Sequence, residues 1–218
     1  MVLGRLHYIA NHAGADDPGN VLAIVSLVLD AGVRCVQVRS KECSDRQRYE
    51  LARRAVQISH GAGATCIIND RVDIALAAGA DGAHVGEEDL PVTVARRLLG
   101  PDLVLGASVV TPEQAMEAEA AGADYLGAGP CYFTATKEST QSPIGPQALA
   151  AITRVVGLPV IAIGGVTAQL VPELLGAGAY GVAVISAIAM ADDPASAATE
   201  LVSALGAVPM PTRGEVVR

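Results

Sequence analysis

A chain of 218 residues is the length of one domain or two small ones; 51% of it is hydrophobic, only 3% is aromatic, and there is no tryptophan. Such a core must be packed from Ala, Val, Leu and Ile around 23 glycines, the palette of parallel sheets buried on both faces. A net charge of −8 excludes a nucleic-acid binder with a broad basic face, but an anionic small molecule needs only local cations.

Taken in order, Met1 to Ala10 lacks an apolar stretch followed by a cleavage site and is not read as a signal peptide. The first apolar run predicts a strand at 5–10. A unit then recurs: a helix-like segment, a small-residue close, and an apolar strand. It reads Ala31-Gly32-Val33 before Cys35, Gly61-Ala62-Gly63-Ala64 before Thr65, and Ala78-Gly79-Ala80-Asp81 before Gly82. It returns as Ala121-Gly122-Ala123-Asp124 before Tyr125 and Ala177-Gly178-Ala179 before Tyr180. Glycine just past a helix can take the left-handed conformation that closes it. The unit predicts strands at 5–10, 34–39, 65–68, 82–85, 103–107, 124–129, 159–163 and 180–185. Helices are predicted at 18–31, 45–60, 71–78, 91–99, 112–121, 146–155, 168–176 and 194–205. Ser44, Thr111 and Asp193 are placed to cap three of them.

Two uncharged runs, Arg154 to Glu173 and Glu173 to Asp192, could span a bilayer on length, but Gly, Pro, Ser and Thr break both at turn-like places. Eight strand–helix units over residues 1–207 predict a single-domain α/β fold, a (β/α)8 TIM barrel. The competing architecture, an open doubly wound sheet, lacks a G-x-G-x-x-G after the first strand. Residues 208–218 are expected to be a disordered tail. The four cysteines, 35, 43, 66 and 131, form no C-x-x-C pair and are expected to be reduced thiols of a cytoplasmic protein.

Barrel chemistry sits at the C-terminal strand ends. On the second strand, alternation puts Gln37, Arg39 and Lys41 on one face and Val36 and Val38 on the other. Three converging donors, two of them charged, suit an anion; the plain alternative is a solvated strand end. Asp70 and Asp89 end the third and fourth strands. Two such carboxylates facing a polyphosphate suit Mg2+, although each could instead cap the helix that follows it. His84, inside an apolar strand, reads as a satisfied core residue rather than a base. Ser108 ends the fifth strand without an Asp/His partner, so it is not read as a nucleophile. The loop after the sixth strand carries Thr134, Thr136 and Lys137; the chain has only one other lysine, Lys41. Gly164-Gly165 after the seventh strand and Ile185-Ser186 after the eighth suit a phosphate held by backbone N–H groups, although Gly-Gly can also serve only a tight turn. Two anion sites in one mouth suggest the joining of two phosphorylated substrates.

These residues, in this order and spacing, resemble the thiamine-phosphate synthase family over roughly Leu6 to Leu205. The carriers are Gln37-Val38-Arg39-Ser40-Lys41, Asn69-Asp70-Arg71-Val72-Asp73, and Ala80 to Gly86 followed by Asp89-Leu90-Pro91. Gly129-Pro130, Thr134-Ala135-Thr136-Lys137, Ile163-Gly164-Gly165 and Ile185-Ser186-Ala187-Ile188 complete the set. The resemblance implies a transferase that condenses a hydroxymethylpyrimidine diphosphate with a hydroxyethylthiazole phosphate, plain or carboxylated, and releases pyrophosphate. It implies that Gln37, Arg39, Lys41, Asn69, Ser108 and Lys137 bind the pyrimidine diphosphate. Asp70 and Asp89 would bind Mg2+. Thr134, Thr136, Gly165, Ile185 and Ser186 would hold the thiazole phosphate. Arg39, Lys41, Lys137 and Ser108 would act in catalysis.

Three departures stand out from that pattern: Ala10-Asn11 where the family usually has Thr-Asp, Glu87 where it has Gln, and Val109-Val110 where it often has Thr-His. Two other readings compete, a thiazole tautomerase-like isomerase and a non-catalytic phosphate-binding regulatory barrel. Partners are expected to be phosphorylated small molecules, with no nucleic acid and no membrane; assembly into a homo-oligomer is left open.

Overall fold

The computed structural model describes residues 3–12, 17–134 and 142–207. Eight parallel strands close into one barrel in sequence order, each paired with the next and the last with the first. They are β1 Leu6–His12, β2 Cys35–Ser40, β3 Thr65–Asn69, β4 Gly82–Val85, β5 Val104–Val109, β6 Tyr125–Ala128, β7 Val160–Ile163 and β8 Gly181–Val184. The helices are α1 Pro18–Asp30, α2 Asp45–Gly61, α3 Val72–Ala78, α4 Val92–Leu99, α5 Pro112–Ala120, α6 Gly145–Val155, α7 Val171–Gly176, α8 Ser186–Ala189 and α9 Pro194–Gly206. The closed barrel agrees with the predicted architecture and excludes the open sheet. The four-residue α8 is too short to leave a periodic signal, and the segment predicted at 168–176 opens as a 3-10 turn before α7.

The strands are apolar on both sides because they have two cores. Outward residues such as Val36, Val38, Ala83, Leu105 and Leu126 pack against the helices. Inward residues such as Ile9, Cys35, Ile67, Val104, Tyr125 and Ile161 fill the barrel. This alternation aims every second residue at the axis.

The repeated small-residue closes have a mechanical role. Gly79 ends α3 in the left-handed region at φ 68°. Asp81, two residues on, donates its N–H to the Cys66 carbonyl and accepts the Cys66 N–H on its carboxylate at 2.7 Å. Asp124 does the same to Leu105. Each aspartate therefore fastens the start of its own strand to the previous one. Ser44, Thr111 and Asp193 cap α2, α5 and α9 as predicted, Ser44 in a reciprocal box with Gln47.

Candidate active site

The polar strand ends gather at the C-terminal mouth. A cavity of about 780 Å³ lies elsewhere, at the opposite end of the barrel beside Leu3, Arg5, Arg34, Tyr180 and Leu205. That end carries hydrogen bonds that hold the fold together, such as Arg5 to the Tyr180 and Leu205 carbonyls.

Gln37 is buried on the inward face of β2, with Arg39 half-buried above it and Lys41 exposed at the rim. Arg39 Nη1 donates to Asn11 Oδ1 at 2.5 Å, its register neighbour on β1. The first departure from the family pattern thus has a defined role, which is to hold the guanidinium. The Lys41 segment is clamped from below, because Arg48 of α2 donates to the carbonyls of Ser40 at 2.7 Å and Lys41 at 3.0 Å.

Lys41 Nζ lies 3.4 Å from Asp70 Oδ2. Asp70 takes a positive φ of 66°, unusual for a residue with a side chain. Its N–H donates to the His84 carbonyl, and Asn69 Nδ2 donates to its Oδ1 at 2.5 Å. Arg71 grips Asp73 with two donors and Asp45 with a third, fastening the turn that carries Asp70 to the start of α2. Burial, then the neighbouring Asp89 carboxyl, pushes the Asp70 carboxyl up to about 6, against the pull of Lys41. Asp89 also accepts the Gly86 N–H at 2.7 Å. Neither aspartate caps a helix: the residues at the N-cap positions of α3 and α4 are Arg71 and Pro91, with no side-chain cap bond.

Two carboxylates forced together in a half-buried place are what a divalent cation relieves. Among the described residues no three His, Cys, Asp or Glu side chains form a metal-holding group. A pair fits Mg2+, which takes one or two carboxylates and completes its shell with water and phosphate oxygens. Glu87, the second departure, is exposed, and Val109, in the third, is buried.

Deeper in, His84 bridges two side chains, with Nδ1 2.9 Å from the Tyr125 hydroxyl and Nε2 3.0 Å from Ser108 Oγ. His84 is thus hydrogen-bonded on both nitrogens, in keeping with its reading as a core residue. No sequence pattern pairs it with Ser108, although period-2 alternation on β4 already turns it inward.

On the other side of the mouth, the loops after β6 and β7 dock together. Cys131 donates its N–H to Ile163 O at 2.7 Å, and Tyr132 to Gly164 O at 3.0 Å. A Cβ on Gly165 would lie 2.5 Å from the Phe133 carbonyl, so glycine there serves this close packing, whatever else it binds. Thr134 ends the described part of the loop; Thr136 and Lys137 lie outside the described residues. Ile185 and Ser186 form the first turn of α8, where helical N–H groups lack intrahelical acceptors.

A closed parallel barrel whose polar and charged side chains converge at the C-terminal strand ends defines a (β/α)8-barrel enzyme. Comparison with known proteins gives the particular kind. Residues 7–188 match the model of the thiamine monophosphate synthase family, and the chain belongs to that family. It is 50% identical over 206 residues to a thiamine-phosphate synthase of Salinispora arenicola, covering 93% of this chain and 98% of the relative. It is 50% identical over 180 residues to one from Haloquadratum walsbyi, covering 82% and 81%. A solved thiamine phosphate pyrophosphorylase from Pyrococcus furiosus superposes with a TM-score of 0.82 at 36% identity, covering 93% of this chain and 96% of that one. Among the described residues, no helix is long and apolar enough to cross a membrane.

Proposed function

We propose that this chain is a thiamine-phosphate synthase, joining 4-amino-2-methyl-5-hydroxymethylpyrimidine diphosphate to a hydroxyethylthiazole phosphate in the cytoplasm. The observation that carries the reading is the meeting of Asp70, Asp89 and Lys41 at one side of the mouth, in a chain half identical to a named synthase along nearly its whole length. Asp70 and Asp89 would hold Mg2+, which when bound neutralises diphosphate charge and makes pyrophosphate a better leaving group. Arg39, steadied by Asn11, and Lys41, steadied through Arg48, bring fixed positive charge to the same oxygens. The methylene C–O bond breaks with its electron pair leaving on pyrophosphate. The aminopyrimidine ring carries the resulting cation, and the thiazole nitrogen lone pair closes the new C–N bond. No protein nucleophile is needed. Preorganised charge at the leaving group is the kind of contribution that commonly dominates such catalysis. Lys137 would add to it from the loop after β6. Thr134, Thr136, Gly165, Ile185 and Ser186 would hold the thiazole phosphate.

The test is a product assay with both substrates and Mg2+. Thiamine phosphate should form, and EDTA should abolish it. Thiazole phosphate bound but never consumed would refute the reading and favour the isomerase or the regulatory barrel.

A further inference from the structure

The cavity at the opposite end of the barrel has no part in the proposed chemistry. It lies where β8, β1, β2 and β3 begin, beside the C-terminal ends of α1, α2 and α9. Its volume of about 780 Å³ falls within the range of small-molecule pockets, roughly 300–1,000 Å³. Leu3, Leu6, Tyr180, Val202 and Leu205 give it an apolar wall. Part of the wall is bare backbone: a Cβ on Gly63 or Gly206 would point into open space, with nothing within 4 Å.

Two arginines line this cavity, and their plain role is to close helices. Arg5 Nε donates to Tyr180 O at 3.0 Å and its Nη1 to Leu205 O, near the end of α9, at 2.8 Å. Arg34 Nη1 donates to Leu29 O and Val33 O, around the end of α1, at 2.9 Å each. That role leaves part of Arg34 unused. The residue is exposed, it forms no ion pair among the described residues, and its Nε–Nη2 edge donates to none of them. This edge is a fork that meets a carboxylate with two parallel hydrogen bonds. The one carboxylate lining the cavity is engaged elsewhere: Asp81 accepts the Cys66 N–H at 2.7 Å and lies 3.0 Å from His60 Nε2.

We propose that this cavity is a second binding site, for a small monoanion: a carboxylate carried on an apolar body. The carboxylate takes the Nε–Nη2 edge of Arg34, and the body lies against Leu6, Val202 and Leu205. One negative charge suits the site better than the two of a phosphate ester. Arg5 and Arg34 bring two positive charges, but Asp81 sets a full negative charge against them, and three helix C-termini add partial ones. A neutral ligand of the same shape gains the apolar contact and leaves the Arg34 edge to water. The site is independent of the function proposed above.

Calorimetric titration of the full-length protein with 2-naphthoate, its neutral amide and 2-naphthyl phosphate tests the proposal. Naphthoate should bind about tenfold or more tighter than the amide, the margin of a charge-assisted contact over a neutral one, and tighter than the phosphate. Arg34→Gln should bring naphthoate down to the level of the amide and leave the amide unchanged. Because Arg34 also holds the end of α1, a second variant acts on the space instead of the charge. Gly206 has no positive φ, so Gly206→Phe fills the cavity without straining the backbone and should abolish binding of both probes. Mg2+ with pyrophosphate, ligands of the mouth in the function proposed above, should not displace naphthoate. Failure of naphthoate to bind, equal affinity for naphthoate and the amide, or tighter binding of the phosphate overturns the proposal. So does undiminished binding in folded Gly206→Phe, or displacement by Mg2+ with pyrophosphate, which would put the probe in the mouth.

Discussion

Single residues at the mouth act through their neighbours. Asn11 holds Arg39 at 2.5 Å across the β1–β2 register, the position from which it would act in the proposed reaction. Arg39→Ala should lower kcat by about 10²–10³-fold, the usual cost of losing one preorganised charge contact. Asn11→Ala leaves the charge but frees its position, and should cost about tenfold, through misplacement rather than loss. Steady-state kinetics on both variants distinguish the two effects. His7 shows the opposite case, a residue kept from being charged. It is buried edge-on to Tyr125. Burial, then the nearby His84, lowers its pKa from 6.5 to about 3. In the unfolded chain it takes up a proton below pH 6.5, so the unfolded state binds more protons between about 3 and 6.5. Stability therefore rises with pH across that window and is lost as acid is added. Thermal melts should show this slope, and His7→Gln should flatten it.

At the scale of elements, most of the barrel is legible from period and punctuation. The alternation on β2 already separates Gln37, Arg39 and Lys41 from Val36 and Val38, and the glycine closes mark where helices stop. Strand ends shift by a residue or two; β1 runs on to His12 because Asn11 and His12 have partners on β2 that no local pattern shows. The pairing of Asp70 with Asp89 can be suggested from sequence but not decided, because a cap and a metal ligand have the same composition. The absence of cap bonds removes the capping alternative for both aspartates, and metal binding is the role proposed for them. The polar chain through His84 is hidden for another reason. Its members His84, Tyr125 and Ser108 come from three strands, and its clearest sequence mark is the lack of a side chain at Gly106 and Gly127. Gly106→Ala tests how tightly β4, β5 and β6 are fitted there. A methyl 2.2 Å from the Tyr125 ring must move strand or ring. Denaturant unfolding should show a loss of about 1–3 kcal/mol or more.

For the whole molecule, ligands and thiols report on the same closed architecture. If the carboxylate pair binds Mg2+ only together with phosphate oxygens, Mg2+ plus pyrophosphate should raise the melting temperature by more than the sum of either alone. Asp89→Asn should remove the synergy. The four cysteines are all free, and three are buried. Burial pushes the Cys35 thiol well up, Cys66 to about 12 and Cys131 to about 11. Titration of the folded protein with a thiol reagent should therefore find Cys43 fast and the other three slow until the barrel opens.

Asp70 sets function against durability. Its backbone is left-handed, its carboxyl is half-buried, and its nearest acidic neighbour repels it. Asparagine tolerates that backbone conformation and carries no charge, so Asp70→Asn should melt higher at neutral pH, by about 2–4 °C for each kcal/mol of strain removed. The same variant should lose metal-dependent turnover. Lineages selected only for heat resistance would then discard this aspartate early, and the enzyme would become sturdier by forgetting its reaction.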